Sequence, residues 1–320
     1  MLPEGSQAFT RATWVVLAFT LAVVAWGGLV RASHSGDGCG ANWPTCNGEL
    51  FPKAPVLKTR IEFTHRVMSG ASLLFTAGLA GWAFLRFPRR SWPRRGAATA
   101  LAFSCSEAFI GAAIVLLRLV GADSSITRVV GMGLHLLSTF FLLGALLLTA
   151  LWASGTAPPQ FRGQAPVSTL LWTSLGALLV LGMSGALAAL GDTLFPAHSL
   201  AEGFAQDASP TAHFLLRLRI LHPLLAAFGA SLLLATAAVA SVLRPAARVR
   251  RDAVVLVCAV GTQLGVGLVN LALLAPVPLQ LVHLVLADIV WLTVVALGAH
   301  ALAVDAPRLH AATRTAGARP

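Results

Sequence analysis

The sequence predicts an all-α, polytopic membrane protein whose eight transmembrane helices form two repeated four-helix bundles. Three observations carry this. Of 320 residues, 57% are hydrophobic and only 11% charged, against about 25% charged in a soluble chain. Apolar runs long enough to cross a bilayer, about 18 residues or more, recur from end to end. The second half of the chain also echoes the first.

The spans follow in order. Trp14–Val30 comes after a lone Arg11 and has no small-residue cleavage site, so it reads as a retained helix rather than a removed leader. It runs into WGGLVRAS, a small-residue stretch suited to close helix contact. A long connection, Arg31 to Arg60, leads to Glu62–Leu85. The break RFPRRSWPRR separates this second span from Ala97–Arg118, and Arg128–Leu151 completes the first unit. Leu170–Leu190 ends in MSGALAAL, another small-residue stretch, and Leu218–Leu243 stops at RPAARVRRD. Ala253–Ala275 and Leu279–Val304 close the series. Pro, Arg and Gly fill the breaks, as connections require. The division falls at residues 1–155 and 156–320, four spans in each.

The net charge of +11 marks cytoplasmic loops rather than a nucleic-acid surface. Placing both termini inside puts 14 of the 23 basic residues there, Arg162, Arg308, Arg314 and Arg319 among them, and 9 outside. The long first connection is then outside, although it carries basic residues of its own. The expected setting is the lipid bilayer of a bacterial inner membrane, with no nucleic acid as partner. Cys39 and Cys46 fall in that outside connection, where an oxidising compartment favours a disulfide or redox pair over a metal site. Cys105 and Cys258, in apolar spans, read as packing residues.

The echo between halves is specific. HRVMSGASLL, opening at His65, is matched by HPLLAAFGASLL, opening at His222, and HLLS at His135 by HLVL at His283. Glu107 of the third span falls near where Gln263 lies in the seventh. An even number of spans per unit makes the repeat parallel. The second, fourth, sixth and eighth spans then run from outside to inside, which sets His65, His135, His222 and His283 at one depth in the outer half, two per repeat.

A lone histidine in a membrane helix is usually a hydrogen-bonded interior residue. Two per unit at matched depth point instead to ligand pairs for heme iron, since imidazole is a common heme ligand and bundle cores hold such groups. The reading is two hemes, one per half, held by His65 with His135 and by His222 with His283. Zinc lacks further ligands at each place. A proton relay through Glu107 and Asp288 and plain packing are the competing readings.

Glu62 stands three residues before His65, on the same helix face, where the second half has Arg219 before His222. It is either a helix N-terminal carboxylate favoured by the dipole or a group that positions substrate or moves protons at a reacting heme. The second reading makes the N-terminal site catalytic, with Glu62, His65 and His135, and the C-terminal site an electron carrier. Arg31, Arg66, Arg128, Arg217 and Arg219 lie near the outer edge. Each either pairs with a heme propionate, Arg66 and Arg217 being the candidates for heme binding, or snorkels to the interface. His34, His198, His213, His300 and His310 receive no role.

Taken together, these residues resemble the heme A synthase family, membrane enzymes of cytochrome oxidase assembly. The likeness covers nearly the whole chain. It rests on GGLVRASHSGDGCGANWPTC, on EFTHR opening the second span, and on His135, His222 and His283. It implies heme O as substrate and heme A as product, a ring methyl being oxidised to a formyl group by successive hydroxylations, with heme B as cofactor in the C-terminal half. It further implies that His65 and His135 hold the substrate, that His222 and His283 hold heme B, that Glu62 is the catalytic carboxylate, and that Cys39 and Cys46 are the outer-loop pair. An electron donor is a possible partner, and its identity and the source of the formyl oxygen stay open. A complex with the enzyme that makes heme O and a homo-oligomer both stay open.

Two departures stand out. Pro223 follows His222 where Arg66 follows His65, and the second outside loop, GDTLFPAHSLAEGFAQD, has no cysteine. The competing functions are a di-heme cytochrome b that only passes electrons, from which Glu62 distinguishes an enzyme, and a heme transporter, which the internal repeat would suit.

Overall fold

The computed structural model describes residues 4–303. Arg308, Arg314 and Arg319 of the charge count, His310, and Val304 at the end of the eighth apolar run lie outside the described residues. Nine helices follow one another among them: α1 (Glu4–Ala32), α2 (Leu57–Arg86), α3 (Trp92–Leu116), α4 (Ile126–Ala153), α5 (Ala165–Leu194), α6 (Leu200–Ala208), α7 (Phe214–Leu243), α8 (Ala247–Ala272) and α9 (Val277–Leu302). All except α6 are long and apolar enough to cross a membrane.

Most of these helices outrun their apolar cores. α2 takes in Lys58 and Arg60, and α8 takes in Arg248, Arg250 and Arg251, because long basic side chains at a helix end reach the interface while their stems stay on the apolar face. α6 was not expected. It lies in the second loop, and SLAE starts it: the Ser199 hydroxyl accepts the Glu202 N–H while Glu202 accepts the His198 N–H, a close variant of a capping box. Pro223 does not end α7, which runs through it.

Each of α1 to α4 packs on the next, and α4 closes back on α1. α5, α7, α8 and α9 form a second ring in the same way. The rings join where α1 and α4 meet α5 and α9. Lipid is as apolar as leucine, so close packing and hydrogen bonds must hold helices together. Inside the rings, Thr20 and Ser72 pair across α1 and α2 at 3.0 Å, and Ser174 and Thr236 across α5 and α7 at 2.8 Å. On the seam, Trp291 stacks on Phe140 with ring centroids 5.0 Å apart, and its indole N–H donates to the Phe140 carbonyl at 2.7 Å. Gly144 leaves room for that indole. Arg31 crosses the same seam, donating to Ala189 O and Thr193 Oγ1 of α5 at 2.7 and 2.8 Å and to Gln280 Oε1 of α9 at 2.9 Å. Outward faces carry exposed Leu74, Phe109 and Leu268, as surfaces against acyl chains do.

Candidate functional site

The four histidines lie seven to ten residues into α2, α4, α7 and α9. At about 1.5 Å of rise per residue they share one shallow layer. They lie about two to three turns in, because these helices begin before their apolar runs do.

In the C-terminal ring His222 and His283 face each other, centroids 6.3 Å apart and planes at 88°. Two metal–imidazole bonds of about 2 Å each, with the step from each nitrogen to its ring centre, add to about 6 Å. The couple is spaced for one iron. His222 Nδ1 is 3.0 Å from the Ser184 hydroxyl, which leaves its Nε2 for a ligand. His283 Nε2 is 3.3 Å from the Gln263 amide nitrogen, and its Nδ1 is buried without a hydrogen-bond partner. In the N-terminal ring His65 and His135 are within electrostatic reach of each other. His65 Nδ1 is buried and unpartnered, and His135 Nδ1 lies 3.1 Å from Glu107 Oε2. Leaving a buried polar atom unpaired costs about 1–3 kcal/mol, so three ring nitrogens without a hydrogen-bond partner in this layer, on His65, His135 and His283, mark a place for a ligand. Donor type and spacing fit heme.

Each imidazole rests on a glycine of the preceding long helix. An added Cβ would come 3.0 Å from His65 Cε1 at Gly27, 2.9 Å from His222 Cε1 at Gly185 and 3.0 Å from His283 Cε1 at Gly267; Gly111 faces His135 Cε1 at 4.0 Å. Carbon atoms settle at about 3.5–4.0 Å, so at three of the four seats a side chain would crowd the ring and the imidazole would have to shift. The sequence reading did not assign these glycines to the site, although Gly27 and Gly185 stand inside the small-residue stretches it singled out. Gly185→Ala is expected to push the His222 ring off line at a cost of about 1–3 kcal/mol. The check is a shifted heme absorption spectrum with the helical fold retained. Gly176→Ala, on the same helix with nothing within 4 Å of its Cβ, should leave the spectrum unmoved.

Glu62 and Arg66 fasten the cysteine loop. Glu62 is 3% exposed, too far inside α2 to be a helix-terminal carboxylate, since the dipole acts within the first turn. Its Oε2 accepts the Cys39 N–H at 2.7 Å, and its Oε1 pairs with the Arg66 guanidinium. Arg66 also donates to the Asn42 and Thr45 carbonyls, and Thr59 Oγ1 to Gly38 O at 2.8 Å. Cys39 and Cys46 form a disulfide and are both fully buried, while Cys105 and Cys258 are free thiols. The loop between the cysteines is therefore clamped onto the opening turns of α2, one turn from His65.

The remaining edge arginines are also engaged. Arg128 donates to the Gly121 and Asp123 carbonyls. Arg217 is exposed and donates to Pro210 O. Arg219 binds Asp192 of α5 and Asp207 of α6, which docks the short helix. Asp288 is fully buried and neither of its oxygens has a hydrogen-bond partner. Among the described residues no three His, Cys, Asp or Glu side chains gather as a metal site.

A model of the COX15-CtaA family, cytochrome oxidase assembly protein, matches residues 10–295. A protein of Thermus thermophilus named protoheme IX farnesyltransferase is 46% identical over 296 residues, 92% of this chain and 49% of that protein. The chain thus spans about half the length of that relative. A heme A synthase of an Exiguobacterium species is 32% identical over 180 residues, 56% of this chain and 57% of that protein. A heme A synthase of Staphylococcus haemolyticus is 29% identical over 208 residues, 62% of this chain and 66% of that protein. The family match takes in Cys39, Cys46, Glu62 and all four histidines. With eight helices fit to span a bilayer and a family match over most of its length, the chain is an integral membrane protein and belongs to the COX15-CtaA family of cytochrome oxidase assembly proteins.

Proposed function

We propose that the chain is a heme A synthase, an oxidoreductase that converts a ring methyl of heme O to the formyl group of heme A. The observation that carries the reading is the histidine layer: one pair in each ring, with an acid, Glu62, before only the first pair. The named heme A synthases among its relatives support it. His65 and His135 hold heme O, and His222 and His283 hold heme B, which when bound supplies electron transfer. Oxidising a methyl removes protons along with electrons. Glu62, on the face and turn of His65, is the group placed to take or direct them. Arg66 and the disulfide loop hold Glu62 in place and shield that side from water. The histidine end faces out of the cytoplasm, with both termini inside the cell, following the distribution of arginines.

The name of the Thermus relative raises a second reading, prenyl transfer to heme. Prenyl diphosphates are handled through Mg²⁺ held by carboxylates and phosphate oxygens, and no acidic cluster of that kind gathers among the described residues. The histidine pairs favour oxidation. The test is co-expression with a source of heme O, followed by mass spectrometry of extracted porphyrins. Heme A is the expected product. Heme B alone at both sites, with no heme A, would leave an electron-transfer cytochrome. Farnesylated heme formed from heme B and a prenyl diphosphate would establish the transferase.

A further inference from the structure

The two rings differ in how they brace their last histidine. Glu107 of α3 and Gln263 of α8 occupy the same register: each stands four residues before the glycine that seats the following histidine, Gly111 under His135 and Gly267 under His283. What they offer is not the same. Glu107 places Oε2 at 3.1 Å from His135 Nδ1. Gln263 brings an amide nitrogen to 3.3 Å of His283 Nε2, on the other side of the ring. The Thr139 hydroxyl shares its one proton between the same Glu107 oxygen and the His135 carbonyl, each at 2.9 Å, so Thr139 ties the carboxylate to the turn bearing the ligand. Among the four imidazoles, a carboxylate touches only His135. His222 has the Ser184 hydroxyl on Nδ1, while the Nδ1 atoms of His65, His135 and His283 have no aligned hydrogen-bond partner, the Glu107 carboxylate standing beside His135 Nδ1 at ion-pair distance.

A carboxylate on the outer nitrogen of a ligating imidazole fixes its tautomer, with the proton on Nδ1 and the lone pair on Nε2, and makes the ring a stronger donor. Electron donation from the axial ligand is one of the levers by which a protein lowers the potential of heme iron. We infer that Glu107 is a positioning residue of the N-terminal site. Acting through His135, it makes that histidine the firm ligand of the bound heme and leaves His65 the weaker ligand, on the side where Glu62 stands. This rests on the proposal that the N-terminal ring binds heme. It adds which face of that heme is held and which is open to exchange.

The test is a potentiometric titration of the full-length protein in detergent, in the His222→Ala background and loaded with heme B as probe, so that only the N-terminal heme is followed. Glu107→Gln keeps the shape and removes the charge, and the midpoint potential is expected to rise. Thr139→Val removes the hydroxyl that competes for the same oxygen, and the potential is expected to fall. Opposite signs in two neighbouring variants are not what a loss of packing produces. Exogenous imidazole should displace the weaker ligand in the parent protein and lose that selectivity in Glu107→Gln. Heme bound with an unmoved potential in both variants would overturn the inference while leaving the N-terminal heme site standing. Heme absent from the parent protein would take away the functional proposal and this inference with it. Should Glu107→Gln fail to fold, a fall in potential in Thr139→Val supports the role and an unchanged value refutes it.

Discussion

Glu62→Gln is expected to retain both hemes and to lose methyl oxidation by roughly a hundredfold or more, the range in which a positioned acid or base contributes. The structure makes this a sharper test than the sequence allowed, because Glu62 also fastens the cysteine loop. A glutamine oxygen still accepts the Cys39 N–H that Glu62 Oε2 accepts at 2.7 Å. What is lost is the ion pair. Removing one member of a buried pair costs about 3–5 kcal/mol when the other charge is stranded. Arg66 is not stranded, since the Asn42 and Thr45 carbonyls still receive it. The cost is then nearer that of one hydrogen bond to a charged group, about 1.5–3 kcal/mol. Glu62→Ala removes the Cys39 acceptor as well, and should expose the disulfide to reductant in a thiol-labelling assay where Glu62→Gln does not. Full oxidation activity in Glu62→Gln, with heme A measured per mole of protein, would reduce Glu62 to a loop anchor.

The features carried by periodicity were legible in the sequence, and those carried by close approach were not. Eight apolar runs and two echoing halves gave the helices and their order, because burial in lipid needs long apolar stretches and a parallel duplication repeats its punctuation. The level of the four histidines followed from chain direction alone. EFTHR stood out in the sequence, but what its members hold was not readable. Glu62 and Arg66 are four residues apart, a spacing that favours an ion pair on any helix, yet nothing local says that the segment around Cys39 folds back over them. The arginines near the edge read equally as partners for propionates or as side chains snorkelling to the interface. Their protein contacts were not readable: Arg31 ties α1 to α5 and α9, and Arg219 ties α7 to α5 and α6, contacts between segments remote in sequence. The glycines were half visible. Gly27 and Gly185 belong to stretches that announce close packing, but that each one seats an imidazole becomes clear only when the helices are placed side by side.

His222→Ala and His283→Ala are each expected to lower the heme content by one per protein, and the double variant should lose no more than either single change. Two side chains that hold one iron act as a unit, and residues acting as a unit are strongly non-additive. The 6.3 Å separation of their centroids is the basis for treating them so. His222→Ala combined with His135→Ala should behave differently, each change removing its own heme, because the two histidines belong to separate rings of helices. The readout is pyridine hemochromogen absorbance per mole of protein, with thermal unfolding alongside, since a ligand that binds only the folded state stabilises it in proportion to the logarithm of its saturation. His283 carries the greater structural risk. Its helix forms part of the seam, where Leu281 and Leu284 press on Gly28 of α1, whereas His222 sits on a helix that meets lipid through Leu224 and Phe228. A larger fall in melting temperature for His283→Ala at equal heme loss would reflect that difference. Heme losses that add across His222 and His283 but not across His222 and His135 would instead mean that the pairs run between the rings.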